Sequence, residues 1–243
     1  MEATGVIFAA LDCDADAIEA WNRWYDLEHL PPNLALEGVV CGRRYVATPE
    51  LHEARRGVGE GGYAGGRSSF LTIYTLTGDP RAAFQGMTEL REELVKADRM
   101  FADEKKIVRD GDVFSLDWVR ADPELRARAV DVPFIGHTSL LVVMRRGADP
   151  LRSWYSEDRA SRLVEIPGVH ATLGLTSLNR PELSLELVLV EAPPLEVLEV
   201  IRDRAPEHSD SELVVEGAFR LIDPLRYDWA EWMRSSWLPA KVS

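Results

Sequence analysis

Two stretches of the chain decide its fold: residues 24–39 read WYDLEHLPPNLALEGV, and residues 154–169 read WYSEDRASRLVEIPGV. A constant offset of 130 residues, without a gap, places Trp24-Tyr25 on Trp154-Tyr155 and Gly38-Val39 on Gly168-Val169. The same offset aligns four further pairs: Glu28 with Asp158, Leu34 with Val164, Leu36 with Ile166, and Leu11 with Leu141. Chance does not easily supply the whole series at one offset, so the sequence predicts an internal duplication.

Each half contains four apolar, β-compatible segments and two segments with helical spacing. The predicted strands are 5–13, 39–47, 68–76 and 112–119 in the first half, and 134–144, 169–178, 184–191 and 213–222 in the second. The order βαββαβ predicts a ferredoxin-like unit, an antiparallel sheet with both helices on one face. Two such sheets can bury each other, so we predict an α+β fold in which two ferredoxin-like repeats form an intramolecular dimeric α+β barrel.

The predicted domains are 1–122 for the first repeat, 130–224 for the second, and 225–243 for a tryptophan-rich helical tail. A polar segment, 120–133, is the expected linker. Pro31 and Pro32 are expected to end or kink the first helix, because proline removes a helical hydrogen bond. The tail is expected to close over the barrel or to meet a second subunit.

The composition limits the partners. The chain has 28 Lys and Arg against 41 Asp and Glu, a formal net charge of −13, which argues against nucleic acid and anionic membranes because both need clustered cations. Cys13 and Cys41 indicate buried thiols rather than a disulfide framework. No apolar stretch reaches the length of a membrane span. We therefore expect a cytoplasmic protein that binds a small molecule and can form a homodimer.

One motif carries a family resemblance. Residues 21–45 read WNRWYDLEHLPPNLALEGVVCGRRY and resemble the EthD-like branch of the dimeric α+β barrel superfamily. The resemblance rests on four elements: Trp24-Tyr25, Glu28-His29-Leu30-Pro31, Gly38 and Arg43-Arg44-Tyr45. The second half departs from the motif, since Arg159 stands where His29 does and no proline pair follows.

The resemblance implies a cofactor-independent enzyme of the lyase, cyclase, decarboxylase or monooxygenase type, with its site in the first half. It would use acid–base chemistry on a compact hydrophobic or aromatic metabolite. The alternative is a non-catalytic binding or sensing protein on the same scaffold. No cofactor or metal is expected, although haem stays open because distant relatives bind it. No residue stands out as an axial ligand.

The candidate catalytic residues are His29, Tyr25 and Glu28. Histidine is the side chain whose ordinary pKa lies near neutrality, so His29 can accept and return a proton. The alternative is a histidine that caps the last helical carbonyls. Tyr25 lies four residues before His29 and can bind it or the substrate, whereas Glu28, next to His29, points in a different direction.

The candidate substrate-binding residues come from three segments. Trp21 can line the site from the first helix. On the following strand Arg43 and Tyr45 share one face and Arg44 lies on the other, and an arginine there can orient a carboxylate or phenolate. His137 and His170 are expected on strands of the second half, either as pocket residues or as structural histidines.

The glycine-rich run 57–66 (GVGEGGYAGG) has no Gly-Lys-Ser/Thr and opens no predicted helix, which excludes a phosphate-binding loop. We expect either a lid with Tyr63 at its tip or a disordered loop.

Overall fold

Both faces of the first strand are buried, so the strand lies between two packed layers. The structure, a computed structural model, describes residues 2–57, 62–147, 158–204 and 211–236. The strands are β1 (Gly5–Cys13), β2 (Val39–Val46), β3 (Arg56–Gly57), β4 (Phe70–Leu76), β5 (Lys106–Ala121), β6 (Ser139–Arg146), β7 (Val169–Ser177), β8 (Leu183–Val190) and β9 (Glu212–Leu221). The helices are α1 (Ile18–Trp24), α2 (Leu30–Leu34), α3 (Pro49–Glu53), α4 (Pro80–Lys96), α5 (Ala160–Val164), α6 (Pro194–Arg204) and α7 (Ala230–Ser236).

The strands form an eight-stranded antiparallel barrel. Their order is β2-β4-β1-β5-β7-β8-β6-β9, with β3 added to β9, and a pairing of β2 with β9 closes the ring. The halves therefore meet at two seams. The β5–β7 seam has seven paired residues, from Phe114↔Ser177 to Ala121↔Ala171, whereas the β2–β9 seam has two, Tyr45↔Leu221 and Val46↔Arg220.

The main hydrophobic core fills the barrel. Val6, Phe8 and Ala10 of β1 belong to the same buried cluster as Leu140 of β6 and Leu187 of β8. Because side chains alternate along a strand, the intervening residues of β1 face the helices outside the barrel. Two smaller clusters lie in that outer layer. The gap between the two layers is where the candidate site lies.

The first helix does not end at its proline pair; of the two expected outcomes, an end or a kink, the structure excludes the end. Residues Tyr25–His29 form a π-helical turn between α1 and α2, and Pro31 and Pro32 lie inside α2. The backbone N–H of Leu30 binds the carbonyl of Tyr25, a spacing of five residues. This wider turn accommodates prolines that cannot donate to the helix, and π-turns of this kind occur often at functional sites.

The segment between β2 and β4 is more structured than expected. It contains α3 and β3, and residues 58–61 of the glycine-rich run lie outside the described residues. Tyr63 is not at the tip of a lid: it is buried, and its hydroxyl donates to Asp110 at 2.9 Å.

The predicted linker is part of the barrel rather than a free connection. β5 extends to Ala121, and short 3₁₀ helices cover Pro123–Leu125 and Ala129–Phe134. Val132 is buried within the barrel core. The following strand consequently begins at Ser139 and not near residue 134, so His137 precedes β6.

The C-terminal segment packs against the first half of the chain. Trp229, Ala230 and Met233 share a buried cluster with Ile18 and Trp21 of α1. Among the described residues, no helix combines the length and the apolar character needed to cross a membrane.

Gly38 and Gly168 precede β2 and β7 with nearly equal positive φ angles, +84° and +85°. A Cβ on Gly168 would lie 2.3 Å from the Cβ of Ala192. We expect Gly168→Ala to lower the free energy of unfolding by about 2–3 kcal/mol, because the left-handed conformation and the clash both penalise a side chain. Gly86→Ala is the matched control: it lies in α4 with open space around it, and we expect no loss. Urea denaturation measures the free energy of unfolding of both variants, and equal losses for Gly168→Ala and Gly86→Ala would contradict this explanation.

Candidate functional site

A cavity of about 540 Å³ lies between the outer face of the sheet and the helices of the first half. Its walls are mostly apolar and aromatic. The lining residues are Ile7, Phe8, Ala9, Leu11, Trp21, Trp24, Tyr25, His29, Asn33, Tyr74, Phe84, Met87, Thr88, Arg91, Met100, Asp103, Lys106, Ile107, Val108 and Gly111. The volume falls in the range of about 300–1,000 Å³ typical of ligand and cofactor pockets.

His29 lies in the wall of this cavity at the end of the π-helical turn. Its ring stacks on Trp24 at 4.8 Å between centroids and meets the edge of Tyr25 at 4.7 Å. Burial lowers the pKa of His29 to about 4, and the charge of Arg44 adds to this effect. The imidazole is therefore neutral at pH 7. Its Nδ1 atom is buried and has no hydrogen-bond partner among the described residues.

Two other residues of the cavity wall also carry buried polar atoms without partners in the described part of the chain. These atoms are Nε1 of Trp21 and the hydroxyl of Tyr74. Burial raises the pKa of Tyr74 well above its ordinary value, and Tyr25 adds to the shift. Tyr25 itself accepts a hydrogen bond from Thr72 at 2.9 Å. Buried polar groups without partners are costly, so their occurrence in the wall of this cavity makes it a candidate functional site.

Cationic side chains border the same cavity. Arg91 lies exposed on α4, and Lys106 begins β5, where it pairs with Asp103. The cavity thus combines an apolar interior with positive charge, an arrangement that suits a largely apolar ligand carrying acidic groups.

Arg43 and Arg44 lie on opposite faces of β2, as the strand alternation predicts. Arg44 faces the helices, where it is buried and pairs with Asp26 of the π-helical turn. Arg43 and Tyr45 face the barrel and meet His137. Tyr45 contacts Nε2 of His137 at 2.9 Å, and Arg43 contacts its Nδ1 at 3.1 Å. These three residues converge, but on the other side of the sheet from His29.

The remaining predicted site residues lie apart from the cavity. Glu28 is exposed and does not line it. His170 lies near the start of β7, where its Nε2 pairs with Glu191 at 2.8 Å. Of the predicted residues, the structure therefore brings His29, Tyr25 and Trp21 together at the cavity.

Sequence reasoning missed the wall that α4 and β4 provide. Phe84, Met87, Thr88 and Arg91 are spaced i, i+3, i+4 and i+7, so they share one face of the helix. That spacing was the available signal. Tyr74 carried a weaker signal: it lies on β4, the strand that pairs with the strand of Arg44 and Tyr45.

The buried His137 predicts a pH dependence of stability. Burial lowers its pKa to about 4, and Arg43 contributes in the same direction. The ordinary value is about 6.5, so between these two pH values the unfolded chain binds the proton more tightly. We expect stability to fall as the pH drops from about 6.5 to 4, with about 2–3 kcal/mol of that loss due to His137. Urea denaturation of His137→Gln should show a smaller pH slope than wild type, and equal slopes would contradict the assignment.

No protein-family model matches the chain, and no curated protein matches it. Solved structures match nearly all of it. A candidate chlorite dismutase, TA0507, aligns with a TM-score of 0.55 at 10% identity, covering 96% of this chain and 100% of its own. A variant of DypB in complex with manganese aligns with a TM-score of 0.53 at 10% identity, covering 93% of this chain and 94% of its own. A DypB variant from Rhodococcus jostii RHA1 in complex with haem aligns with a TM-score of 0.51 at 11% identity, covering 93% of this chain and 94% of its own.

These comparisons show the fold: the chain has the dimeric α+β barrel fold. They also correct two expectations. The sequence led us to expect an enzyme without a cofactor, with no cofactor likely, yet a barrel of this fold holds haem in DypB, and both expectations are wrong. The physical reason is that residue patterns place side chains on helices and strands but do not determine the width of the space between those layers.

Proposed function

We propose that this chain is a haem-dependent oxidoreductase and that the cavity beside His29 is its haem site. The observation that supports this proposal is the side chain of His29, a neutral imidazole with an unpartnered nitrogen in the wall of a 540 Å³ cavity. Neutral histidine is the commonest protein ligand of metals and holds the iron in many haem proteins.

The residues of the cavity fit the parts of a haem. The apolar walls, including Phe84 and Met87, suit the macrocycle and exclude water. Arg91 would supply a cation for one of its two carboxylates, and Lys106, which pairs with Asp103, lies beside the same cavity. The cavity volume suits a ligand of cofactor size.

In this proposal each side chain has a separate task. His29 holds the iron, and the rings of Trp24 and Tyr25 hold the imidazole in one orientation. Trp21 and Tyr74 add aromatic rings to the cavity wall. When bound, haem supplies one-electron and oxygen chemistry that protein side chains lack.

Reconstitution tests the proposal directly. The purified chain is titrated with haem, and we expect a Soret band that saturates at one haem per chain. Ala9→Phe, which places a ring in the cavity from β1, should prevent saturation while the far-ultraviolet circular dichroism stays unchanged. Haem that binds equally to wild type and Ala9→Phe would place the site elsewhere and overturn the proposal.

We also propose that the two halves are ferredoxin-like repeats of one unit, with boundaries 1–122 and 130–224 and a tail from 225. The strand order is β2-β4-β1-β5 in one half and β7-β8-β6-β9 in the other, which supports this. Further support comes from α2 and α5, which have the same bounds at the offset of 130. Membership of the EthD-like branch rests on the motif around His29.

Homodimerisation and a cytoplasmic location are further proposals. Three exposed apolar side chains, Leu27, Leu34 and Val40, support a contact with a second copy. The net charge of −13 and the free cysteines suit a reducing compartment. Light scattering on the purified chain tests the first proposal, and a mass of one chain would contradict it.

A further inference from the structure

Arg44 lies under the π-helical turn that carries His29. Arg44 is only 4% exposed. Its guanidinium donates to Oδ1 of Asp26 at 2.6 Å and to Oδ1 of Asn22 at 2.5 Å. The guanidinium also donates a hydrogen bond to the backbone carbonyl of Asn22 at 3.3 Å. One side chain from β2 thus holds two residues of adjacent helical turns.

The same guanidinium also packs against aromatic rings that line the cavity. Its Cζ lies 4.1 Å from the centroid of Tyr25 and 5.3 Å from that of Trp21. These distances fit cation–π contacts, which are strongest when they are desolvated. Tyr25 in turn meets His29 edge-on at 4.7 Å. Arg44 therefore reaches His29 through Tyr25, since the structure shows no hydrogen bond between the two among its described residues.

Asp26 extends the contact to the C-terminal segment. Its Oδ2 accepts hydrogen bonds from the backbone N–H of Leu225 at 3.0 Å and from the hydroxyl of Tyr227 at 2.6 Å. Both oxygens of this carboxylate are therefore occupied, one by β2 and the other by a segment almost 200 residues further along the chain. A network in which every group is satisfied is rigid.

We propose that Arg44 is a positioning residue of the cavity: through Tyr25 and Asp26 it fixes the π-helical turn and so the orientation of the His29 ring. This inference rests on the proposed function, since the orientation matters because His29 would hold the iron. Arginine is specific for the role, because lysine keeps the charge but loses the planar fork and the stacking surface.

The first test needs no haem. The ring protons of His29 lie over Trp24, so their NMR resonances in the haem-free protein are displaced by ring currents. In Arg44→Lys we expect these resonances to move toward the values of an unstructured histidine. Asp26→Asn is a second variant in case Arg44→Lys does not fold, and it should give a smaller shift in the same direction.

The second test measures haem affinity. Replacing a residue that orients a metal ligand typically lowers the affinity about 10–100-fold, and we expect a loss in that range for Arg44→Lys. Arg159→Lys is the matched control: Arg159 is an equally buried arginine in an ion pair with Glu186, in the half without the cavity. It should lower the midpoint of unfolding but leave the His29 resonances and the haem affinity unchanged.

The outcomes separate the two proposals. If Arg44→Lys lowers the unfolding midpoint but the His29 resonances stay in place, the role of Arg44 is structural only and the inference is overturned. If wild type binds no haem, the proposed function fails, whereas the NMR shift still decides whether Arg44 orients His29.

Discussion

His29→Ala is expected to lower the affinity for haem by roughly 100-fold or more, a larger loss than replacing a residue that only orients the ligand causes. The physical reason is that the variant removes the neutral imidazole from a cavity with apolar walls, where no other histidine is among the described lining residues. The measurement is a titration followed by the Soret band. Added imidazole should restore part of the binding, because it fits the space that the side chain leaves.

His170→Ala is the control for this experiment. His170 is mostly buried on β7 and pairs with Glu191, away from the cavity, so its loss should leave the haem titration unchanged. Equal affinities in wild type and His29→Ala would show that His29 is not the ligand.

Glu186→Ala is expected to destabilise the protein by about 3–5 kcal/mol. The carboxylate of Glu186 is 1% exposed and accepts from Nε of Arg159 at 2.9 and 3.0 Å. Burial raises the pKa of Glu186, and the charge of Arg159 opposes that effect. Without the carboxylate, a buried guanidinium loses its charge partner. The free energy of unfolding from urea denaturation measures the loss.

A neighbouring exposed pair gives the control. Arg162 and Asp158 are about half exposed, at 49% and 48%, and lie 3.1 Å apart. Asp158→Asn should cost less than about 1 kcal/mol because water screens the pair. The double variant Arg159→Met/Glu186→Leu should recover most of the stability lost in Glu186→Ala, since apolar side chains of similar size can replace a buried ion pair. A double variant no more stable than Glu186→Ala would contradict this account.

Much of the fold could be predicted because it follows from short-range patterns. The bounds of β1 agree with the prediction, because a short apolar run that ends at aspartates defines it, and those of β2, which follows Gly38, differ by one residue. β5 was predicted too short. Asp110 and Asp112 interrupt its apolar pattern, and only the folded chain brings Arg180 to both of them. The helix beyond His29 was also missed, since a π-helical turn has no simple sequence signature.

The candidate site could be predicted only in part. The motif drew attention to His29, Tyr25 and Trp21, which lie together at the cavity. It also drew attention to Arg43 and Tyr45, which lie inside the barrel, because a motif does not say which face of a sheet carries the site. The two cationic residues at the cavity, Arg91 and Lys106, lie more than 60 residues from His29 in the sequence. No local pattern links them to it.

The unequal seams of the barrel have a consequence for how a rigid, flat molecule can enter. The barrel is weakest where β2 pairs with β9, because these two strands share only two paired residues. Thermal fluctuations should separate β2 from β9 before they open the β5–β7 seam, while β2 stays paired with β4 from Val39 to Val46. Such an opening would break the hydrogen bond from the backbone N–H of Ile222 to the carbonyl of Arg44, which is 2.8 Å long, so amide exchange at Ile222 should report how often the strand beside His29 loosens.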